Sequence, residues 1–223
     1  MQHSLIKAII TGSTGMVGEG VLHECLNNIN VSEVLVINRK PCGVHHPKLK
    51  EIVHSNFYDF SKIKKELDGY NAAFLCLGVT SVGKKEEEYT KLTHTLTMHL
   101  AETLVSVNKD MTVCYVSGTG TDSTEKGKTM WARIKGKKEN DLMNLPFTKV
   151  FPFRPGFIKP TKGLKNAHKF YKFVNWLYPL GRLIYPKAFC TLSEVGKAMI
   201  NSFYLDEARK IIEGKDIIEL AKK

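Results

Sequence analysis

Thr11-Gly12-Ser13-Thr14-Gly15-Met16-Val17-Gly18 follows the apolar run Leu5, Ile6, Ala8, Ile9, Ile10 almost at the start of the chain. A run of that length, stopped by glycines and followed by Met16, Val17, Val21, Leu22, Cys25 and Leu26 in a helical pattern, reads as strand, tight turn, helix. The glycines have separate tasks in that geometry. Gly12 permits the turn, Gly15 lets the backbone approach a pyrophosphate, and Gly18 lets the helix pack tightly on the strand. The free N–H groups and positive dipole end of the helix then face an anion. Gly12, Ser13, Thr14, Gly15, Met16, Val17 and Gly18 thus form a candidate dinucleotide cradle, with a structural turn as the plain alternative. A second apolar run, Val34 to Ile37, arrives after a helix-length gap, as the motif requires.

That second strand ends Asn38-Arg39-Lys40, where a dinucleotide fold reads the adenosine ribose. An acidic residue there holds a free 2′-hydroxyl, whereas a cation accommodates a 2′-phosphate. Asn38 is not acidic, and Arg39 and Lys40 are both cations, so the expected cofactor is NADP in preference to NAD. The competing reading makes Arg39 and Lys40 a solvated loop before Pro41. A third strand, Glu51 to His54, leads to Asn56 and Phe57, which either touch the adenine or precede a helix capped by Asp59 or Ser61. A fourth strand, Ala72 to Leu77, closes at Gly78, placing Leu77 and Gly78 beside the cofactor. Three glutamates, Glu86 to Glu88, start a long helix through Leu92, Leu96, Leu100, Leu104 and Val107. A fifth strand, Thr112 to Val116, ends at Ser117-Gly118-Thr119-Gly120-Thr121. This alternation predicts an α/β fold with a doubly wound, Rossmann-like parallel sheet and a small carboxyl-terminal substrate lobe. Ligands on that architecture sit outside the carboxyl ends of the strands, where Gly12, Asn38, Gly78 and Ser117 all fall.

Length and composition limit the alternatives. A chain of 223 residues fits one domain, 1–223, with residues 157–190 as a substrate lobe or lid. Its five cysteines are odd in number, scattered and without a Cys-x-x-Cys pair, which argues against a zinc site or a disulfide framework. His94 and His99 lie five apart and do not share a helical face, and no metal site is expected. The amino terminus runs directly into the first strand and no run is long enough to span a bilayer, so a reducing cytoplasm is the expected compartment. The formal charge of +11 favours anionic partners, but no nucleic-acid motif is present and phosphorylated cofactors are themselves anions.

The glycine turn, the strand ending Leu77-Gly78, the strand ending Ser117, and Trp131-Ala132-Arg133-Ile134-Lys135 together resemble the short-chain dehydrogenase/reductase superfamily. With the later Phe153-Arg154-Pro155-Gly156, the pattern is most similar to its extended and atypical branches, and within these to the NAD(P)-binding oxidoreductases related to Tat-interacting protein. The resemblance implies a Tyr-x-x-x-Lys pair and a serine as catalytic groups. Lys135 matches the lysine, which also holds the nicotinamide ribose; Ser117, or Thr119 with the loop shifted, matches the serine. Pro155 and Gly156 would lie beside the nicotinamide and open the substrate lobe. Trp131 stands where the tyrosine is expected, and an indole N–H only donates.

Three readings follow. Lys135 does the acid/base work, its pKa lowered by burial and by Arg133, Lys137 and Lys138. Or a tyrosine from elsewhere, such as Tyr89 or one near the carboxyl terminus, reaches the site. Or the chain binds the cofactor without turnover, as a sensor or scaffold that docks on a partner or membrane. The leading expectation is an NADP-dependent oxidoreductase or epimerase acting on a small organic substrate. Finally, Lys162, Lys165, Lys169 and Lys172 fall on one helical arc and Ala167, Phe170, Val174 and Leu177 on another. That segment reads either as a lid over the substrate cleft or as a basic face for peripheral membrane or protein contact.

Overall fold

The computed structural model describes residues 4–166, 178–185 and 188–223. Seven strands form one parallel sheet: β1 (Ile6–Thr11), β2 (Val31–Asn38), β3 (Leu49–Val53), β4 (Ala72–Leu75), β5 (Thr112–Val116), β6 (Lys149–Arg154) and the short last strand Ile212–Glu213. Their order across the sheet is β3-β2-β1-β4-β5-β6 followed by Ile212–Glu213. The order reverses between β1 and β4, so the crevice at that switch point opens above the carboxyl ends of β1, β2, β4 and β5.

Alternation along the strands builds two cores. On β1, Ile6, Ala8 and Ile10 face one side and join Val21, Leu22 and Cys25 of α1 (Met16–Asn27) with Val195, Ala198 and Met199 of the helix Leu192–Ser202. Ile9 faces the other side with Leu35, Ile37, Leu75 and Val113, under Leu100 and Leu104 of the helix Leu96–Val107 and Leu142 of the helix Met130–Asn144. The strict period of two is what lets one sheet carry helices on both faces.

The glutamate-led helix is longer than one regular element. It runs Glu86–Thr90, passes through a π turn at Lys91–Thr95, and resumes at Leu96. The helix Leu192–Ser202 begins with a capping box in which Thr191 accepts from the Glu194 N–H and Glu194 accepts from the Thr191 N–H. A small two-stranded parallel sheet, Phe157–Lys159 with Phe189–Thr191, was not anticipated. Each strand has three residues, too few for alternation to register in the sequence. The basic and apolar arcs expected between Lys162 and Leu177 fall largely on residues 167–177, outside the described residues.

At the start of α1 two backbone segments nearly touch. Gly12 has φ +75°, and a Cβ on Gly18 would lie 2.1 Å from the Gly12 oxygen. A Cβ on Gly15 would meet only that oxygen, at 3.4 Å. Gly18→Ala is therefore expected to destabilise the fold by roughly 3 kcal/mol. Gly15→Ala should stay within about 0.5 kcal/mol of wild type. Urea unfolding of the two variants checks the contrast, and equal losses would contradict it.

Candidate functional site

Two cavities of about 620 Å³ each lie along the carboxyl edge of the sheet and share Leu77 as a wall. No side chain caps α1, so its first N–H groups remain available where the two meet at the Gly12–Gly15 turn. Gly12 and Thr14 line the first cavity, and Gly15, Met16 and Val17 the second. Ser13 lines neither, because its hydroxyl is buried against Asn38. Gly18 is likewise a packing residue.

The first cavity is lined with cations. Arg39 and Lys40, both exposed, enter from the end of β2, and Lys165 enters from the segment after Lys159. Asn38 lines the wall, and its amide is bonded through both nitrogen and oxygen. Its Nδ2 donates to Ser13 Oγ (2.8 Å) and to Glu51 Oε1 (3.0 Å), while its Oδ1 accepts from Ser13 Oγ (3.0 Å). Glu51 Oε1 also accepts the Cys42 N–H at 2.8 Å, which ties the loop after β2 to β3. The position where an acidic residue would hold a ribose hydroxyl therefore carries no carboxylate, and the amide that stands there is bonded to Ser13 and Glu51. Phe57 lines this cavity and is buried. Asn56 does not line it: its Oδ1 accepts the Tyr58 N–H in a turn, and Asp59 Oδ1 accepts from Ser61 at the start of a 3-10 helix, Ser61–Leu67.

The second cavity gathers Leu77, Gly78, Ser117, Gly118, Thr119, Trp131, Lys135, Pro155 and Gly156. A Cβ on Gly78 would meet nothing within 4 Å, so the backbone there is open to an incoming molecule. Lys135 Nζ donates to the Ser117 carbonyl at 3.0 Å and stands 5.8 Å from the Trp131 ring centre. Thr121 Oγ1 donates to the Gly118 carbonyl at 2.7 Å, so the buried Ser117 hydroxyl, 2.9 Å away, donates to Thr121. Thr119 is exposed and its hydroxyl donates to the Arg154 carbonyl. Tyr89 is buried and lines neither cavity. Tyr185 is exposed and shares with Thr119 a separate cavity of about 390 Å³.

Among the described residues, the ionisable groups lining the second cavity are Lys135 and Cys76. Burial pushes the Cys76 thiol far up. Burial also holds Lys135 below the usual lysine value of 10.5, against an opposing pull from Glu139. The neighbouring cations are not the cause. Arg133 pairs with Glu86 at 2.8 Å and Lys137 with Asp141 at 3.0 Å, both away from the cavity. Lys138 is fully buried beneath Lys135, with Nζ donating to the Thr93 carbonyl (2.7 Å) and to Thr97 Oγ1 (3.3 Å) and lying 4.1 Å from the Tyr115 ring centre. Burial first, and repulsion from Lys135 second, hold Lys138 well below the ordinary lysine range. The fully buried Glu139 is held by the Arg154 guanidinium through Nε and Nη2. This arrangement escapes a reading of motifs. Its sequence signal is that Lys138 stands four residues from both Ile134 and Leu142, on the core side of its helix.

Residues 8–132 match the NAD dependent epimerase/dehydratase family. The chain is 24% identical to Protein FMP52, mitochondrial, of Eremothecium gossypii, over 98% of each chain. It is 23% identical to Protein HTATIP2 of Rattus norvegicus, over 68% of this chain and 62% of that one. The Bordetella bronchiseptica enzyme WbmG, solved in complex with NAD, superposes with a TM-score of 0.70 at 13% identity, over 99% of this chain and 78% of that one. These relationships correct the expected compartment. FMP52 relatives from several fungi are named mitochondrial, which overturns the cytoplasmic assignment. Free thiols and the lack of a spanning run describe what a chain tolerates, not where it is delivered.

Lys138 generates a test of the buried cluster. A lysine depressed by burial penalises the fold in full below its folded pKa, and the penalty is relieved as pH rises toward 10.5. Thr97 Oγ1 itself donates to the Thr93 carbonyl, so both acceptors keep a partner when Lys138 is removed. Lys138→Met should therefore be more stable by about 1–3 kcal/mol at pH 7, each kcal/mol raising Tm by roughly 2–4 °C. The advantage should shrink as pH rises from 7 to 10. Calorimetric melting across that range measures it, and a variant less stable at pH 7 would reverse the assignment.

Proposed function

Because the chain belongs to the NAD dependent epimerase/dehydratase family, and to the short-chain dehydrogenase/reductase superfamily more broadly, we propose that it is an NADP-dependent oxidoreductase or epimerase acting on a small organic substrate. The observation that carries this reading is one crevice with cations at one end and a single depressed lysine at the other, joined across the uncapped start of α1. The residues present fit a dinucleotide. The space beside Gly15 and Gly78 is the kind a side chain would fill, and the α1 N–H groups between the cavities suit a pyrophosphate. WbmG carries NAD on the same fold, and the choice of NADP here rests on this chain's own wall. Asn38 is not a carboxylate and its amide is already bonded to Ser13 and Glu51, whereas Arg39 and Lys40 suit a 2′-phosphate.

When bound, the nicotinamide supplies or accepts the hydride. The chain's own groups do the rest. Gly156 lines the cavity with its backbone, and the Ala188 carbonyl packed against it leaves no room for a side chain. Lys135 holds and moves the proton at Nζ, its position fixed by the Ser117 carbonyl and its charged form disfavoured by burial. Ser117 orients that carbonyl's loop through Thr121 instead of offering a free hydroxyl. Trp131 closes one wall as a hydrophobic donor. Residues 157–190 form the substrate lobe in this reading.

Two measurements test the proposal. Arg39→Ala should weaken NADPH roughly tenfold or more while leaving NADH within about twofold; isothermal titration decides, and equal losses would reject the 2′-phosphate assignment. In a screen of carbonyl substrates, Lys135→Ala should abolish NADPH turnover. Trp131→Tyr should raise it by roughly 10- to 100-fold, by restoring a titratable hydroxyl. Turnover unaffected by Lys135→Ala would reject its role, and nucleotide binding without turnover would favour the sensor reading.

A further inference from the structure

The segment that follows Lys159 folds back over the first cavity, and three features hold it there. Gly163, at φ +90°, makes the turn. Leu164 packs against the core that contains α1. The Glu19 carboxylate, itself only 4% exposed, accepts the N–H of Lys165 through Oε1 and the N–H of Asn166 through Oε2, each at 2.8 Å. Glu19 stands in the first turn of α1, four residues after Gly15. A carboxylate so near an anion site would ordinarily repel the anion. Here both oxygens are committed to backbone amides, and the charge is used to fix a loop.

The clasp leaves the Lys165 side chain unpaired by any acid among its described contacts and lining the cavity that also holds Arg39. Its Nζ reaches over Gly43, 3.8 Å from where a Cβ on that glycine would stand. Gly43, at φ +67°, belongs to the same loop that Glu51 ties down through the Cys42 N–H. Two buried or tethered carboxylate contacts thus fix the two walls that carry cations, one from each half of the chain.

We infer that Lys165 is a specificity-determining residue that completes the 2′-phosphate site with Arg39, and that Glu19 is the positioning residue that holds it there. The inference rests on the dinucleotide reading above and extends it to a residue outside the glycine motif. An exposed lysine held by its flanking amides gives up less freedom on contacting an anion than one on a free loop, so its contribution to affinity survives. NADPH and NADH differ only at the 2′ position, and Lys165 should distinguish them.

The experiment is isothermal titration of wild type, Lys165→Ala, Glu19→Gln and the double variant with NADPH and with NADH, each protein's fold being followed by thermal melting. Lys165→Ala is expected to weaken NADPH roughly tenfold and NADH by less than about twofold. Glu19→Gln, which replaces one acceptor with an amide, should weaken NADPH severalfold in the wild-type background and have little further effect once Lys165 is alanine. Equal loss of both nucleotides, or an unchanged NADPH affinity in Lys165→Ala, would overturn the role of Lys165 while leaving the cofactor site standing. Additive effects of the two substitutions would overturn the positioning role of Glu19. If Glu19→Gln fails to fold, the exposed Lys165→Ala alone still decides the specificity claim. Wild-type protein that binds neither nucleotide would overturn the cofactor reading and this inference with it.

Discussion

Between the Gly12 carbonyl and the α carbon of Gly18 there is no space for a side chain. That contact sets the angle at which α1 leaves β1, and so sets the direction in which its uncapped N–H groups point. Were the helix pushed outward by even a methyl group, its first turn would no longer sit above the switch between β1 and β4. The crevice, its open backbone at Gly15 and Gly78, and the approach of the β2 loop all depend on this one close passage. The fold tolerates it because α1 is buried against the helix Leu192–Ser202 as well as against the sheet, where Gly20 and Gly196 also admit neighbouring side chains at short range.

A second constraint operates at the other end of the crevice. The helix Met130–Asn144 places Lys135, Lys138 and Glu139 within two turns, and their environments differ sharply. Lys135 borders the cavity, Lys138 lies in the core over Tyr115, and Glu139 is buried against Arg154 of β6. A buried carboxylate with a guanidinium on it is tolerable only if the geometry is good, and the contact through both Nε and Nη2 provides that. The result is a helix whose position is tied to β6 by an ion pair and whose Lys135 and Lys138 are biased toward the neutral form, while Lys137, paired with Asp141, is not. A tyrosine is absent from the expected place, but a group able to exchange a proton is not.

Much of this was legible in the chain itself. The alternation in Ile6, Ala8, Ile9 and Ile10, the spacing of Gly12, Gly15 and Gly18, and the recurrence of apolar runs after helix-length gaps are local properties, and local backbone preference decides them. They led to the doubly wound parallel sheet and to the placement of Gly78 and Ser117 at strand ends, whereas Lys135 was singled out by the family resemblance. Where the reading left alternatives open, the structure separates them for physical reasons. Asn56 and Phe57 are adjacent, yet only Phe57 reaches the cavity, because a turn uses the Asn56 side chain. Arg133, Lys137 and Lys138 are near neighbours of Lys135 in sequence, but helical rotation sends the first two to Glu86 and Asp141.

The sequence by itself determined the doubly wound sheet, the glycine turn at its first strand and the identity of the residues at its carboxyl edge, since each depends on neighbours within a few positions. Only the tertiary structure decided which of those residues remain free. The Asn38 amide on the cavity wall is bonded to Ser13 and Glu51, and Lys165 is brought into the cavity by Glu19 across 146 positions. Glu19 did leave a trace, standing at core spacing with Leu22 and Leu26 on one helical face. Its partner left none, because a backbone N–H is offered by every residue type except proline, and no pattern of side chains records the bond.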